Sequence, residues 1–240
     1  MTTARRVLLA AAIAALPFAA LAQSSDQGIF DIYLRGVKAA QLGYSGAEQG
    51  GRYSAAGKLQ TSGLIGRLRT VSYDAKSRGV ISGRDFRPSL YEEARNNNGE
   101  VRKARMAYRG GVPQGRELDP PRPQSELALD PAKQGGTLDV MTAIYAVLGA
   151  QPRDAVCKVD EYLFDGIRRS RITLGAPKVE GDTIRCTAEY RRIGGFKPDE
   201  MAERTVFPFQ LTYEPAGDGK WHATRVDMET TYGRGSMVRR

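Results

Sequence analysis

The stretch from Val156 to Ile193 constrains the fold of this chain most. Apolar and polar residues alternate through it, which is the pattern of strands with one buried face. Asp165-Gly166 and Gly181-Asp182 are dipeptides typical of tight turns between strands. The stretch is therefore predicted to form three neighbouring antiparallel strands, and the rest of the chain has to fold around them.

The N-terminus has the pattern of a cleavable export signal. The basic pair Arg5-Arg6 precedes the apolar run Val7–Leu16, and Ala20-Leu21-Ala22 is a small-x-small cleavage site. The run is too short to cross a hydrocarbon core about 30 Å thick, which takes about 20 apolar residues. We therefore predict a signal peptide over 1–22, a periplasmic location, no transmembrane anchor and a single β-rich domain over 23–240.

Cys157 and Cys186 are the two cysteines. Because an exported chain meets an oxidising compartment, they are predicted to form a disulfide. A flat meander would hold its outer strands about twice 4.8 Å apart, which is too far for a disulfide. Either the sheet curls strongly, or Cys157 precedes its strand and reaches over, and we favour the second. A metal or redox pair is disfavoured, because CxxC spacing is absent and His222 is the single histidine.

Short alternating runs recur about every ten residues, which indicates an antiparallel meander. The runs outside the cysteine stretch are Phe30–Leu34, Val37–Tyr44, Tyr53–Leu59, Leu68–Asp74, Val80-Ile81, Phe207–Tyr213 and Trp221–Tyr232. Lys76–Gly79 and Asn96–Gly99 are predicted turns. Basic residues around the second turn, Arg95, Arg102, Lys103 and Arg105, are expected to protect a solvated hairpin. The tail Gly233–Arg240 is either a last strand or a basic tip.

One amphipathic helix is predicted over 137–148. Thr137 is the candidate N-cap, with Asp139 in the first turn and Gly149 as the stop signal. The helix should pack on the concave face of a curved sheet. Met141 and Tyr145 are expected to belong to its core; the alternative is that they line an apolar cavity. The Pro/Gly-rich segment 110–136 before the helix is predicted to be an irregular loop.

Basic residues give a formal net charge of +9. A positive surface often binds nucleic acid, but export makes nucleic acid an unsuitable partner. Anionic envelope polymers, lipid head groups or an acidic protein are expected instead, and Arg168, Arg169 and Arg171 on the predicted strand 167–174 are the candidate contacts. The alternative is that the charge only serves solubility.

Motifs for catalysis are absent. His222 lies within a predicted strand, no GxSxG accompanies it, and phosphate-loop and metal-ligand spacings do not occur. We therefore predict no catalytic residue, no cofactor and no metal, and we expect a protein that is not an enzyme.

Several segments, taken in order, resemble the bacterial family called domain of unknown function 3108. They are TLDVMTAIYAVL (Thr137–Leu148), FDGIRRSRITL (Phe164–Leu174), RCTAEYRRIGGF (Arg185–Phe196), FPFQLTY (Phe207–Tyr213) and the opening pair Phe30–Tyr44. The family commonly has proline where this chain has Val140. The resemblance implies an exported, β-rich periplasmic domain similar to the open barrels that carry lipoproteins or sense lipids, and it brings no catalytic residues.

The sequence thus predicts a mainly β protein in which a strongly curved antiparallel sheet forms an open or spiral barrel around one helix. Such a barrel offers an apolar cavity at its mouth. The expected function is non-enzymatic envelope maintenance with a lipid or acylated ligand. The alternative is an interaction module in which strand 167–174 docks a protein or an anionic polymer.

Overall fold

The computed structural model describes residues 24–240, apart from the side chains at positions 64, 65 and 68. The predicted signal peptide lies outside the described residues. The strands are β1 Ser24–Leu34, β2 Val37–Gln49, β3 Arg52–Thr61, β4 Val71–Ser82, β5 Asp85–Asn97, β6 Glu100–Arg109, β7 Val112–Pro113, β8 Glu117–Asp119, β9 Val159–Phe164, β10 Arg169–Glu180, β11 Thr183–Gly194, β12 Val206–Pro215, β13 Trp221–Thr230 and β14 Gly233–Arg239. The α-helices are α1 Gly63–Leu68, α2 Val140–Leu148 and α3 Pro198–Glu203.

All fourteen strands belong to one antiparallel sheet, in the order β7-β6-β5-β4-β3-β2-β1-β14-β13-β12-β11-β10-β9, with β8 beside β6. Two series of hairpins meet where β1 pairs with β14, so that Phe30 lies opposite Arg239 and Leu34 opposite Gly235. The C-terminal tail is therefore a strand at the centre of the sheet. β7 and β9 lie at its two ends, so the barrel is open. These features confirm the predicted mainly β fold with a helix on the concave face.

Two predicted turns in the N-terminal half have different outcomes. Asn98 and Gly99 have φ values of 52° and 95° and turn β5 into β6, as predicted. The turn predicted at Lys76–Gly79 is wrong, because β4 runs through it with a register shift between Arg78 and Gly79. A Cβ at Gly79 would lie 2.1 Å from the carbonyl oxygen of Arg87. This glycine therefore allows a close approach of two strands at a bulge.

Helix α2 begins at Val140, three residues later than predicted. Asp139 is the N-cap, since its Oδ1 accepts a hydrogen bond from the backbone N–H of Thr142 at 2.9 Å. Thr137 is not the cap; its hydroxyl donates to the carbonyl of Gln134 at 2.8 Å. The intervening Leu138 is held in extended backbone, because it forms a bridge to Leu163 of β9. No helix among the described residues is long and apolar enough to cross a bilayer.

The segment 110–136 is more ordered than an irregular loop. Its two short strands fold back onto β6, with Pro113 opposite Tyr108 and Leu118 opposite Ala104. It therefore covers the free edge of β6, where unpaired backbone groups would otherwise face solvent.

The predicted disulfide between Cys157 and Cys186 is present, with the Cα atoms 5.4 Å apart. Cys157 precedes β9, and the pairing of β9 with β10 ends at Val159 opposite Leu174. Beyond that point β10 continues to Glu180 and stays paired with β11, with Pro177 opposite Cys186, so Cys157 reaches β11 across β10. The cysteine thus reaches over from outside its strand, as favoured from the sequence.

Candidate functional site

Helix α2 fills one end of the barrel. Met141 and Tyr145 are 1% and 3% exposed. A Cβ at Gly57 would lie 2.7 Å from the sulfur of Met141, and a Cβ at Gly46 would lie 2.2 Å from the ring of Tyr145. The two side chains therefore pack directly on the bare backbone of β2 and β3, and they occupy the place where a cavity at this end would lie.

A buried polar cluster holds the start of α2. Asp139 is 0% exposed, and its Oδ2 accepts hydrogen bonds from the hydroxyls of Ser77 and Thr142, each at 2.7 Å. The hydroxyl of Tyr53 lies 2.7 Å from that of Thr142. Burial raises the pKa of the Asp139 carboxyl, and the hydrogen bonds it accepts oppose that rise. The cluster joins the helix to β3 and β4.

The other end of α2 is fixed by side chains that cap its last carbonyls. Tyr213 donates a hydrogen bond to the carbonyl of Val147 at 2.7 Å. Arg84 donates to the carbonyl of Ala146 at 2.5 Å. Carbonyls at a helix C-terminus have no partner within the helix, so Tyr213 of β12 and Arg84 of the β4–β5 turn supply one from each half of the sheet. Helix α2 is consequently a fixed part of the core.

At the opposite end of the barrel, apolar side chains face inward and are only half-buried. We call these five residues the inner apolar band: Ile32, Tyr73, Phe209, Met228 and Met237. Strand pairing places them side by side: Ile32 lies opposite Met237, and Phe209 lies opposite Met228. The band spans strands of both halves of the sheet. It lies at the end of the barrel that α2 leaves open.

Three arginines stand beside this band and alternate with two aromatic rings. Arg192 lies between Phe196 and Phe207. Its guanidinium carbon is 5.3 Å from the ring centre of Phe196 and 4.8 Å from that of Phe207. Arg168 lies 5.2 Å from Phe196, and Arg204 lies 4.9 Å from Phe207. Within the described part of the chain, none of the three arginines forms an ion pair with a carboxylate. We call these five residues the arginine–phenylalanine ladder.

The ladder depends on a glycine. Gly195 has a φ of 80°, and a Cβ there would lie 2.3 Å from the carbonyl oxygen of Ile167. The segment after β11 can therefore press against the β9–β10 turn, which brings Phe196 next to Arg168. A side chain at position 195 would separate them.

A second polar cluster links segment 110–136 to the barrel. Arg116 pairs with Glu93, and their side chains are 11% and 13% exposed. Tyr91 donates a hydrogen bond to Glu93 at 2.8 Å, and burial raises the pKa of the Tyr91 hydroxyl. A Cβ at Gly166 would lie 2.0 Å from the Arg116 side chain. This arginine thus ties the first half of the sheet to the β9–β10 turn of the second half.

The family model described as protein of unknown function DUF3108 matches residues 29–237. The chain belongs to this family. The match confirms the resemblance seen in the sequence. A crystal structure described as a beta-barrel-like protein of domain of unknown function DUF1849, from Brucella abortus, has a TM-score of 0.54 to this chain, and 10% of the residues are identical. The comparison covers 92% of this chain and 96% of that chain, and at this identity it shows the fold alone. No curated protein matches the sequence.

The three arginines predicted as contacts on strand 167–174 do not all lie on that strand in this DUF3108 protein. β10 starts at Arg169, so Arg168 lies in the preceding turn. Arg169 and Arg171 both stack on Tyr162, at 4.3 and 5.4 Å from its ring centre. Arg171 also pairs with Asp160 at 2.6 Å, so its charge is already compensated. The sequence missed Arg192 and Arg204, whose alternation with Phe196 and Phe207 becomes visible only when the strands are paired.

Other features of this DUF3108 protein bear on chemistry. His222 lies opposite Glu214 of β12, and burial lowers the pKa of its imidazole. Among residues 24–240, no group of three or more histidine, cysteine, aspartate or glutamate side chains could hold a metal ion. A shallow depression of about 370 Å³ lies on the outer face of β2–β5, lined by Ser45, Ser54 and Lys76 among others. Neither Met141 nor Tyr145 lines it.

Proposed function

We propose that this protein is a non-enzymatic periplasmic protein that acts in cell-envelope maintenance by binding a lipid or an acylated ligand at the open end of its barrel. The observation that carries the proposal is the inner apolar band, which remains half-buried at the end of the barrel that α2 does not fill. Burying apolar surface stabilises by about 25 cal/mol per Å², so an acyl chain laid on the band would be held by its removal from water.

The composition of the band suits a flexible chain. Met228 and Met237 are unbranched and adaptable, and methionine-rich surfaces accept ligands of varied shape. Binding at the band follows the general preference of small ligands for barrel mouths. Met141 and Tyr145 fill the other end of the barrel, so we assign ligand binding to the band and not to these helix residues.

The polar groups near the band support a binding role rather than a catalytic one. Glu93 is engaged by Arg116 and Tyr91. The arginines of the ladder are permanently charged and do not transfer protons at neutral pH. The second function considered, docking of an acidic protein or polymer on strand 167–174, has weaker support, because Arg171 is paired and Arg168 lies elsewhere.

Substituting both band methionines tests the proposed binding. In Met228→Gln/Met237→Gln, affinity for a long-chain alcohol or fatty acid should fall about tenfold or more, because an amide buried against an alkyl chain without a partner costs about 1–3 kcal/mol. The measurement is a fluorescence titration with an alkyl probe. Ser236→Gln is the matched control, since Ser236 neighbours Met237 on the other face of β14, and it should bind like the wild type. Equal affinity of all three proteins would contradict the proposal.

Export predicts a defined mature protein. The basic pair, the apolar run Val7–Leu16 and the small-x-small site support cleavage after Ala22. The intact mass of protein recovered from the periplasmic fraction should correspond to a chain that starts at Gln23. Ala22→Arg should block processing. Recovery of the full-length wild-type chain from the cytoplasm would contradict the proposed location.

A further inference from the structure

The arginine–phenylalanine ladder is continuous with the inner apolar band. Phe207 of the ladder and Phe209 of the band are two residues apart on β12, so they share a face. Arg204 donates a hydrogen bond to the carbonyl of Glu229, next to Met228 of the band, at 3.3 Å. The open end therefore presents an apolar surface that leads directly to fixed positive charges.

The ladder keeps hydrogen-bond donors free. The Nη1 group of Arg192 donates to the carbonyls of Glu200 and Arg204, at 2.5 and 2.9 Å. These bonds fix the guanidinium and leave Nε and Nη2 available. Arg168 is exposed, and its side chain makes no hydrogen bond to the described residues. Two cations thus share the ring of Phe196, and both keep unused hydrogen-bond donors.

Two carboxylates close in sequence to the ladder, those of Asp165 and Glu200, accept hydrogen bonds from backbone groups. Asp165 accepts hydrogen bonds from the N–H groups of Ile167 and Arg168, at 2.9 and 2.7 Å. Glu200 accepts from the N–H of Lys197 at 3.0 Å. Each carboxylate therefore stabilises a turn or a helix start, and neither bonds to a guanidinium of the ladder.

We propose that Arg168 and Arg192 bind the anionic head group, a phosphate or a carboxylate, of an acylated ligand whose chain lies on the inner apolar band. This inference rests on the proposed function and adds the class of ligand. The guanidinium fork matches both oxyanions, and hydrogen bonds between charged partners are about twice as strong as neutral ones. Stacking on the phenylalanine rings holds the forks in place and reduces the entropy lost on binding.

Calorimetric titration of the whole mature protein with dodecyl phosphate, dodecanoate and dodecanol tests the inference. The three probes share one chain and differ only in the head group. At least one anion should bind about tenfold more tightly than the alcohol, from a charge-assisted interaction of this size. Whichever anion binds more tightly identifies the head group, and equal affinities show that both fit.

Two variants locate the effect. Arg168→Gln should reduce the preference for the anion over the alcohol, with Arg192 keeping part of it, and it should fold normally because the Arg168 side chain makes no hydrogen bond to the described residues. Arg191→Gln is the matched control, since Arg191 neighbours Arg192, pairs with Glu189 at 2.8 Å and should leave all affinities unchanged. If the alcohol binds as tightly as both anions, the inference fails and the proposed function stands. If none of the probes binds, the proposed function fails as well.

Discussion

Replacing Asp139 by alanine should lower the free energy of unfolding by about 3 kcal/mol, the sum expected for a lost N-cap and a buried hydroxyl left without a partner. Asp139 is fully buried and accepts three hydrogen bonds, one from the backbone of Thr142 and two from hydroxyls. The helix it caps fills one end of the barrel, so the loss should reach the global stability. Urea denaturation of the oxidised protein measures it.

Asp139→Asn is the control, because the amide keeps the shape and can still accept from the Thr142 N–H. It should lose less stability than the alanine variant and should also alter the pH dependence. The folded-state pKa of Asp139 is raised above the ordinary aspartate value of about 3.9. The native state therefore binds this proton more tightly, and its stabilising contribution is complete at low pH and is lost as the pH rises through the folded-state pKa. The asparagine variant should lack this loss. An alanine variant within about 1 kcal/mol of the wild type, less than one typical cap, would contradict the assignment.

Removing the disulfide between Cys157 and Cys186 should lower the free energy of unfolding by about 3–4 kcal/mol, the chain-entropy value for a closed loop of about this length. The bond joins the start of β9 to β11 across the place where β10 is no longer flanked by β9. Because Cys157 lies outside the pairing of β9 with β10, few backbone hydrogen bonds would hold this corner of the sheet once the disulfide is lost. Urea denaturation of Cys157→Ala/Cys186→Ala, compared with wild type before and after reduction, measures the effect.

Reduced wild-type protein is the control for packing, since it keeps both sulfur atoms in the core. Its free energy of unfolding should be close to that of the double-alanine variant. The remaining difference should come from the side-chain volume that the alanines lack. Alkylation in denaturant without reductant should label no cysteine. Labelling of both cysteines in protein purified from the periplasm would refute the bond.

The architecture was predictable because alternation marks buried strand faces. Ile184, Cys186 and Ala188 alternate as the strand requires, and the periodic residues of α2 include Met141 and Tyr145. The exact ends of the helix and the strands were not predictable, because they depend on tertiary contacts that the sequence does not show. Leu138 is extended only because β9 pairs with it, and Gly79 allows a bulge because a neighbouring carbonyl approaches it.

The candidate site was predictable only in part. A helix on a concave face was expected, but the sequence could not show that glycines at positions 46 and 57 let it fill one end and leave the other to the inner apolar band. The density of arginines in 167–174 suggested a contact strand, yet Arg168 lies in the turn before β10, and Arg169 and Arg171 both stack on Tyr162. Arg192 and Arg204 contact the same phenylalanine rings as Arg168 or rings next to them. These residues are too far apart in the sequence for any local pattern to reveal the cluster.

The most direct test of the account is a methyl NMR titration of the methionine side chains of the mature protein with dodecyl phosphate. The signals of Met228 and Met237 in the inner apolar band should shift, and the signal of Met141, which belongs to α2 and packs on Gly57, should stay in place. Binding that shifts Met141 and leaves Met228 and Met237 unchanged would contradict the account, because the ligand would then lie at the filled end of the barrel. A titration that shifts none of the three signals would remove the ligand from the open end altogether.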